Sequence, residues 1–122
     1  MQKKILFCSG DFSYGLSLLM FFSEKYFVTS TTDMESIPKL FEQNKFDLII
    51  IDKEPDTKVL NLCKDLKSEA PSPIIILTYA FNLKEGHKNE DLIKKYVDFI
   101  FYKPIDLVEV TKALHMSKVI LN

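Results

Sequence analysis

An aspartate, a threonine and a lysine stand at or just beyond the ends of three apolar runs in this chain of 122 residues. Asp52 closes "DLIIID", Thr78 closes "PIIILT", and Lys103 follows "DFIFY" and precedes Pro104. A carboxylate can act as a nucleophile toward a phosphoryl group and give an acyl phosphate. The charge on the transferred oxygens then needs cations and hydrogen-bond donors around it. A lysine supplies a point charge and a threonine a hydroxyl proton. Each residue also has an ordinary role. Asp52 can begin a turn, Thr78 can finish a strand as a β-branched residue, and Lys103 can be a surface lysine before a proline that starts a helix. The choice depends on whether the fold brings the three together.

The elements that would position them are legible as alternating periods. Short apolar runs of strand length occur at "KKILFC" (3–8), "YFVTST" (26–31), "FDLIII" (46–51), "PIIILT" (73–78) and "DFIFY" (98–102). The third and fourth are apolar at nearly every position, which suits central strands covered on both faces. Helical spacing fills the intervals. Leu16, Leu19, Met20 and Ser23 share one face of a first helix that starts near Asp11–Ser13. Met34, Ile37, Leu40 and Phe41 mark a second, with Pro38 in or near its first turn. Val59, Leu62, Cys63 and Leu66 mark a third; Leu92, Ile93 and Tyr96 a shorter fourth; Leu107, Val110 and Leu114 a fifth. Fivefold strand–helix alternation predicts an α/β fold, an open five-stranded parallel sheet with helices on both faces. In that architecture ligands collect at the carboxyl ends of strands. Asp52, Thr78 and Lys103, together with Ser9-Gly10-Asp11 after the first strand, then share one working edge.

Bulk properties narrow the function classes. The length fits one domain spanning 1–122, with no linker, repeat or low-complexity tract. Sixteen basic and seventeen acidic residues give a formal net charge of −1, which demands neither nucleic acid nor an anionic membrane as partner. No apolar run approaches the ~18 residues of a spanning helix. The opening "MQKKILFCSG" has the basic-then-apolar order of a signal peptide, but its apolar run is too short and no small-residue cleavage site follows. It reads as a first strand in a soluble, cytoplasmic protein. Cys8 and Cys63 lie in apolar or amphipathic segments; their spacing leaves a disulfide open, and buried free thiols are the expectation. His87 and His115 lack zinc-site spacing and are expected at the surface.

Competing motifs fall short. "GDFSYGLS" (10–17) is one residue from a phosphate-binding loop, but Leu16 occupies the place of the phosphate-contacting lysine and fits the apolar face of the first helix. A dinucleotide-binding enzyme would need G-x-G-x-x-G after the first strand, which is absent. A haloacid-dehalogenase-like phosphatase would need D-x-D early in the chain.

"DLIIID" with Asp52, "PIIILT" with Thr78 and "DFIFYKPID" with Lys103-Pro104 together resemble the receiver domain of bacterial two-component response regulators. The resemblance covers the whole chain and leaves no output domain, so a stand-alone receiver of flavodoxin-like (βα)5 fold is implied. It implies Asp52 as phospho-acceptor, Thr78 as the switch hydroxyl and Lys103 as the phosphate's salt-bridge partner. It further implies no enzyme activity beyond self-phosphorylation and self-dephosphorylation at Asp52. The implied partners are a histidine kinase or phosphotransfer protein and a downstream protein target, with no direct nucleic acid or membrane. Homodimerisation through the face of helix four, strand five and helix five also belongs to the family's pattern.

The sequence departs from that pattern at the metal site and at the readout. Receivers hold Mg²⁺ through an acidic pair after the first strand together with the acceptor aspartate; here Ser9 and Gly10 stand in those positions. Magnesium demands near-octahedral oxygen coordination. Asp11 either reaches such an ion beside Asp52 or caps the first helix. Glu54 either adds a carboxylate or is a solvated loop residue, and Glu54-Pro55 comes one place early. Tyr79 replaces the small residue usual after the switch hydroxyl and is expected to narrow access to the phosphoryl pocket. Ile100, between Phe99 and Phe101, replaces the usual aromatic switch. Two functions follow: a phosphoryl-accepting signalling domain, and a pseudo-receiver that keeps the fold as a protein-binding module without phosphorylation.

Overall fold

The computed structural model describes residues 3–81 and 90–117, with side chains described through 113. Expectations for His87, His115 and Leu114 therefore lie outside the described residues and side chains. Five strands, β1 (Lys4–Ser9), β2 (Phe27–Thr31), β3 (Leu48–Asp52), β4 (Ile74–Ala80) and β5 (Phe99–Lys103), alternate with α1 (Phe12–Phe22), α2 (Ile37–Gln43), α3 (Thr57–Lys67), α4 (Glu90–Ile93) and α5 (Leu107–Ser117). A 3₁₀ turn, Met34–Ser36, leads into α2. All strand pairs are parallel, in the order β2-β1-β3-β4-β5. The strand order reverses between β1 and β3, the place where open α/β sheets bind ligands.

Strand alternation divides the core into two layers. Leu6, Cys8, Ile49, Ile51, Ile75 and Leu77 face α2, α3 and α4, where Ile37, Phe41, Val59, Leu62, Cys63, Leu66 and Ile93 are buried against them. Ile5, Phe7, Leu48, Ile50, Ile74 and Ile76 face α1 and α5, meeting Leu18, Phe22 and Val110. β3 and β4 are thus covered on both sides, as their unbroken apolar runs require. Cys8 and Cys63 are buried free thiols. Burial pushes the Cys8 thiol up to about 11 and that of Cys63 up to about 12, so both stay protonated at neutral pH.

Local chemistry sets the helix starts. Asp11 Oδ1 accepts from the Tyr14 amide at 3.2 Å, and Asp56 Oδ1 accepts from the Val59 amide at 2.8 Å. Each satisfies one of the first-turn amides that a helix leaves unpaired. Pro38 lies in the first turn of α2, where its missing N–H costs nothing. Asp98 Oδ2 accepts from the Ile75 amide at 2.8 Å and from Lys67 Nζ at 2.5 Å, tying the start of β5 to β4 and α3.

Two helix faces differ from the sequence expectation. On α1 the buried residues are Leu18 and Phe22, while Leu16 is 44% and Met20 67% exposed. The segment "FSYGLSLLMFF" is apolar on several sides, so spacing does not define one inward face. Packing does: Gly15 sits against the sheet, where an added Cβ would lie 3.3 Å from the Phe7 ring. On α4, Ile93 is buried but Leu92 is exposed, and Tyr96 lies in the turn beyond the helix.

Candidate functional site

Parallel register and strand alternation together place the candidate residues. Ser9 pairs with Asp52 across β1 and β3, and Asp52 with Thr78 across β3 and β4. All three close their layer on the α1/α5 side, two positions beyond Phe7, Ile50 and Ile76. Thr78 is level with Phe101 of β5, and Lys103 lies two residues further on the same side. The three residues singled out by type and position therefore meet at the carboxyl edge.

The Asp52 carboxylate is the hub, with its side chain 8% exposed. Thr78 Oγ1 donates to Asp52 Oδ1 at 3.0 Å. Lys103 Nζ donates to Oδ2 at 3.3 Å, a charge-assisted contact in a partly buried setting. Ser9 Oγ donates to the same Oδ2 at 2.6 Å and itself accepts from the Asp11 amide at 3.0 Å. Two hydroxyls and one ammonium thus balance one carboxylate, as burial of a charge demands. A groove of about 390 Å³ leads to Asp52 past Gly10, Asp33, Lys53 and Lys58.

A fourth partner, Tyr14 of α1, was not anticipated from sequence. Its hydroxyl donates to Thr78 Oγ1 at 3.3 Å, and Lys103 Nζ lies 4.4 Å from the centre of its ring. Thr78 accepts from Tyr14, so its own proton is committed to Asp52. Burial pushes the Tyr14 phenol up to about 12, with the Asp52 charge adding and the Thr78 hydrogen bond opposing, so the hydroxyl keeps its proton. The cation–π contact holds the Lys103 ammonium from one side while Asp52 holds it from the other.

Of the metal ligands raised from sequence, Asp52 stands at the hub of the cluster, while Asp11 and Glu54 are placed apart from it. Asp11 spends Oδ1 on the α1 cap, and Glu54 is an exposed loop residue beside buried Pro55. Among the described residues, no three His, Cys, Asp or Glu side chains come together as metal ligands. The donor set does not fit Mg²⁺. Asp52 is its one carboxylate, and the serine that replaces an acid points its proton at that carboxylate rather than a lone pair at a cation. Gly10 brings no side chain, although a Cβ there would meet nothing within 4 Å.

Tyr79 corrects another expectation. It is 2% exposed on the opposite face of the sheet from Thr78, packed with the α2–α3–α4 layer, and does not narrow the approach to Asp52. Its hydroxyl donates to Glu90 Oε2, and Tyr102 donates to Glu90 Oε1 at 2.7 Å. The rings of Tyr79 and Tyr102 meet edge to face at 5.5 Å, and Phe81 meets Tyr102 at 5.1 Å. Ile100 lies between, packed on the same layer.

The doubly wound sheet with this strand order carries an acid–hydroxyl–lysine cluster at its carboxyl edge. No family model matches the sequence, and no curated protein does. Solved structures do. A two-component response regulator from Clostridium difficile superposes with a TM-score of 0.78 at 22% identity, covering 99% of this chain and 100% of that one. A response regulator receiver domain from Methylobacillus flagellatus gives 0.75 at 17% identity, covering 95% and 98%. A receiver-modulated diguanylate cyclase from Pelobacter carbinolicus gives 0.69 at 20%, covering 95% of each chain. The chain has the receiver fold.

Proposed function

We propose that this protein works in two-component signal transduction as a receiver, accepting a phosphoryl group on Asp52. The observation that carries the proposal is the meeting of Thr78 and Lys103 on the two oxygens of Asp52 at the sheet's carboxyl edge. In the reaction an Asp52 oxygen attacks phosphorus, the bond from phosphorus to the donor breaks, and the donor leaves with the electron pair. Lys103 then holds a phosphoryl oxygen by charge, and the Thr78 hydroxyl turns its proton from Asp52 toward another. The donor is a histidine kinase or phosphotransfer protein, and the signal passes to a protein target through the face of α4, β5 and α5. The only self-catalysed chemistry is gain and loss of the phosphoryl group at Asp52.

One observation favours a second reading, a phosphorylation-independent interaction module. Ser9 Oγ already satisfies Asp52 Oδ2 at 2.6 Å, in the position where receivers carry a metal-binding acid. Incubation with a small acyl phosphate or phosphoramidate, with and without Mg²⁺, separates the readings by intact mass. Gain of one alkali-labile phosphoryl group, lost in Asp52→Asn, supports the acceptor. A folded protein that gains none under either condition supports the module.

A further inference from the structure

The departure from the acidic pair changes the chemistry of Asp52 itself. Ser9 is 3% exposed, and its hydroxyl is fixed from two directions. It accepts from the Asp11 amide at 3.0 Å and donates to Asp52 Oδ2 at 2.6 Å, so its proton is aimed at the carboxylate. Lys103 Nζ donates to the same oxygen at 3.3 Å. Among the described residues, Oδ1 accepts from Thr78 alone, at 3.0 Å. A carboxylate oxygen has about two lone-pair directions. Oδ2 therefore has both engaged, and Oδ1 keeps one for attack. Charge points the same way. Ser9 and Gly10 in place of two acids remove as much negative charge as a divalent cation would bring in positive. Asp52 and Lys103 already cancel, and in the groove that leads to Asp52 the ammonium groups of Lys53 and Lys58 match Asp33 and Glu35. Asp11, the next acid, is exposed and uses Oδ1 to cap α1.

We propose that Ser9 is the positioning residue for the acceptor carboxylate, so that Asp52 takes up a phosphoryl group through Oδ1 without a divalent cation. This role presupposes that Asp52 is the acceptor; it adds the attacking atom and the metal requirement. In the step, Oδ1 attacks phosphorus through its free lone pair, and the bond from phosphorus to the leaving group breaks. The leaving group takes the electron pair; with phosphoramidate it departs as ammonia, its nitrogen being protonated already. Oδ2 becomes the carbonyl oxygen of the acyl phosphate and keeps the hydrogen bonds from Ser9 and Lys103. The Thr78 hydroxyl leaves Oδ1 and turns to a phosphoryl oxygen. Because the Ser9 proton is in place before the donor arrives, the carboxylate has no reorganisation to undergo as it reacts. A neutral hydroxyl adds no positive charge, so Lys103 is the cation that faces the phosphoryl oxygens.

Initial rates of phosphorylation by phosphoramidate, followed by intact mass in excess EDTA and in millimolar Mg²⁺, test this. Wild-type rates in the two conditions should agree within about twofold, and that comparison needs no variant. Ser9→Ala should slow uptake roughly tenfold in both, because the carboxylate loses its fixed orientation. The double variant Ser9→Asp, Gly10→Asp should instead become dependent on Mg²⁺, losing about tenfold or more of its rate in EDTA, since three carboxylates repel the donor until a cation binds. Disturbed packing alone would not change the metal dependence, and circular dichroism certifies the fold of each variant. Wild-type uptake that requires Mg²⁺ overturns the proposal while leaving Asp52 as the acceptor. Uptake in Ser9→Ala as fast as in the wild type overturns it as well. No adduct on the folded wild type in either condition overturns the acceptor assignment, and the role of Ser9 with it.

Discussion

At the scale of single residues, the site is a charge balance in which each group has a separable part. Tyr14 provides a hydrogen bond and a ring, and substitution divides them. Tyr14→Phe removes the donor to Thr78 but keeps the face under Lys103. It should lower stability by about 0.5–1.5 kcal/mol, the net worth of one hydrogen bond, as read from urea unfolding. Tyr14→Leu should cost more, because the cation–π contact goes too. Ser9 and Gly10 set the metal behaviour. A Cβ on Gly10 opens into free space, so Gly10→Asp is sterically admissible, and Ser9→Asp exchanges a proton donor for a ligand. The double variant should bind Mg²⁺ at least about tenfold more tightly by calorimetry, the equivalent of about 1.4 kcal/mol. An unchanged affinity would mean that the edge cannot gather three carboxylates. Asp52, Thr78 and Lys103 were legible in the sequence because strand ends announce themselves by composition. Ser9 as an Asp52 donor and Tyr14 as a Thr78 donor were not. Those contacts span 43 and 64 residues, and no local period records them.

At the scale of elements, strands were easier to read than helix faces. β3 and β4 are apolar up to Asp52 and Thr78 because both sides are covered, and α3 declares its inward face through Val59, Leu62, Cys63 and Leu66, all buried. α1 has apolar residues on two sides, and only the fit of Gly15 and Leu18 to β1 chooses between them. Equilibrium unfolding of dilute protein distinguishes the faces. Leu18→Ala should cost about 2–5 kcal/mol, and Leu16→Ala should stay within about 0.5 kcal/mol apart from its small helix-propensity change. Equal costs would contradict the packing. Alternation along β4 also shows why Tyr79 leaves the approach to Asp52 open: the residue after Thr78 must face the other layer. There it joins Tyr102 in holding Glu90, which fastens α4 to β4 and β5. Burial pushes the Glu90 carboxyl up, but the hydrogen bonds from Tyr79 and Tyr102 and the Lys94 ammonium outweigh it, leaving its pKa below the ordinary value. In the pH interval between the two values the unfolded chain therefore binds more protons than the folded one. The stability contributed by Glu90 is complete above the ordinary glutamate range and is lost as pH falls through its lowered pKa. Glu90→Gln should flatten that acid limb of the stability curve; an unaltered limb would show that the tyrosine contacts do not favour the carboxylate.

At the scale of the whole molecule, the parallel sheet makes one edge from five separate strand ends, and function follows from which residues that edge collects. The alternation of five strands with five helices foretold the architecture because each period reports burial directly. The strand order, and with it the Ser9–Asp52–Thr78 row, depends on register between distant segments, which composition does not encode. Among the described residues no helix is long and apolar enough to cross a membrane. The proposed signalling function rests on uptake of a phosphoryl group by Asp52. Its most direct test is to treat the protein with a small phosphodonor, trap any acyl phosphate with hydroxylamine and map the resulting hydroxamate by peptide mass spectrometry. A hydroxamate on Asp52, weakened in Lys103→Met, is the expected result. A hydroxamate on another carboxylate such as Glu54 or Asp56, or none on a protein shown to be folded, would contradict it.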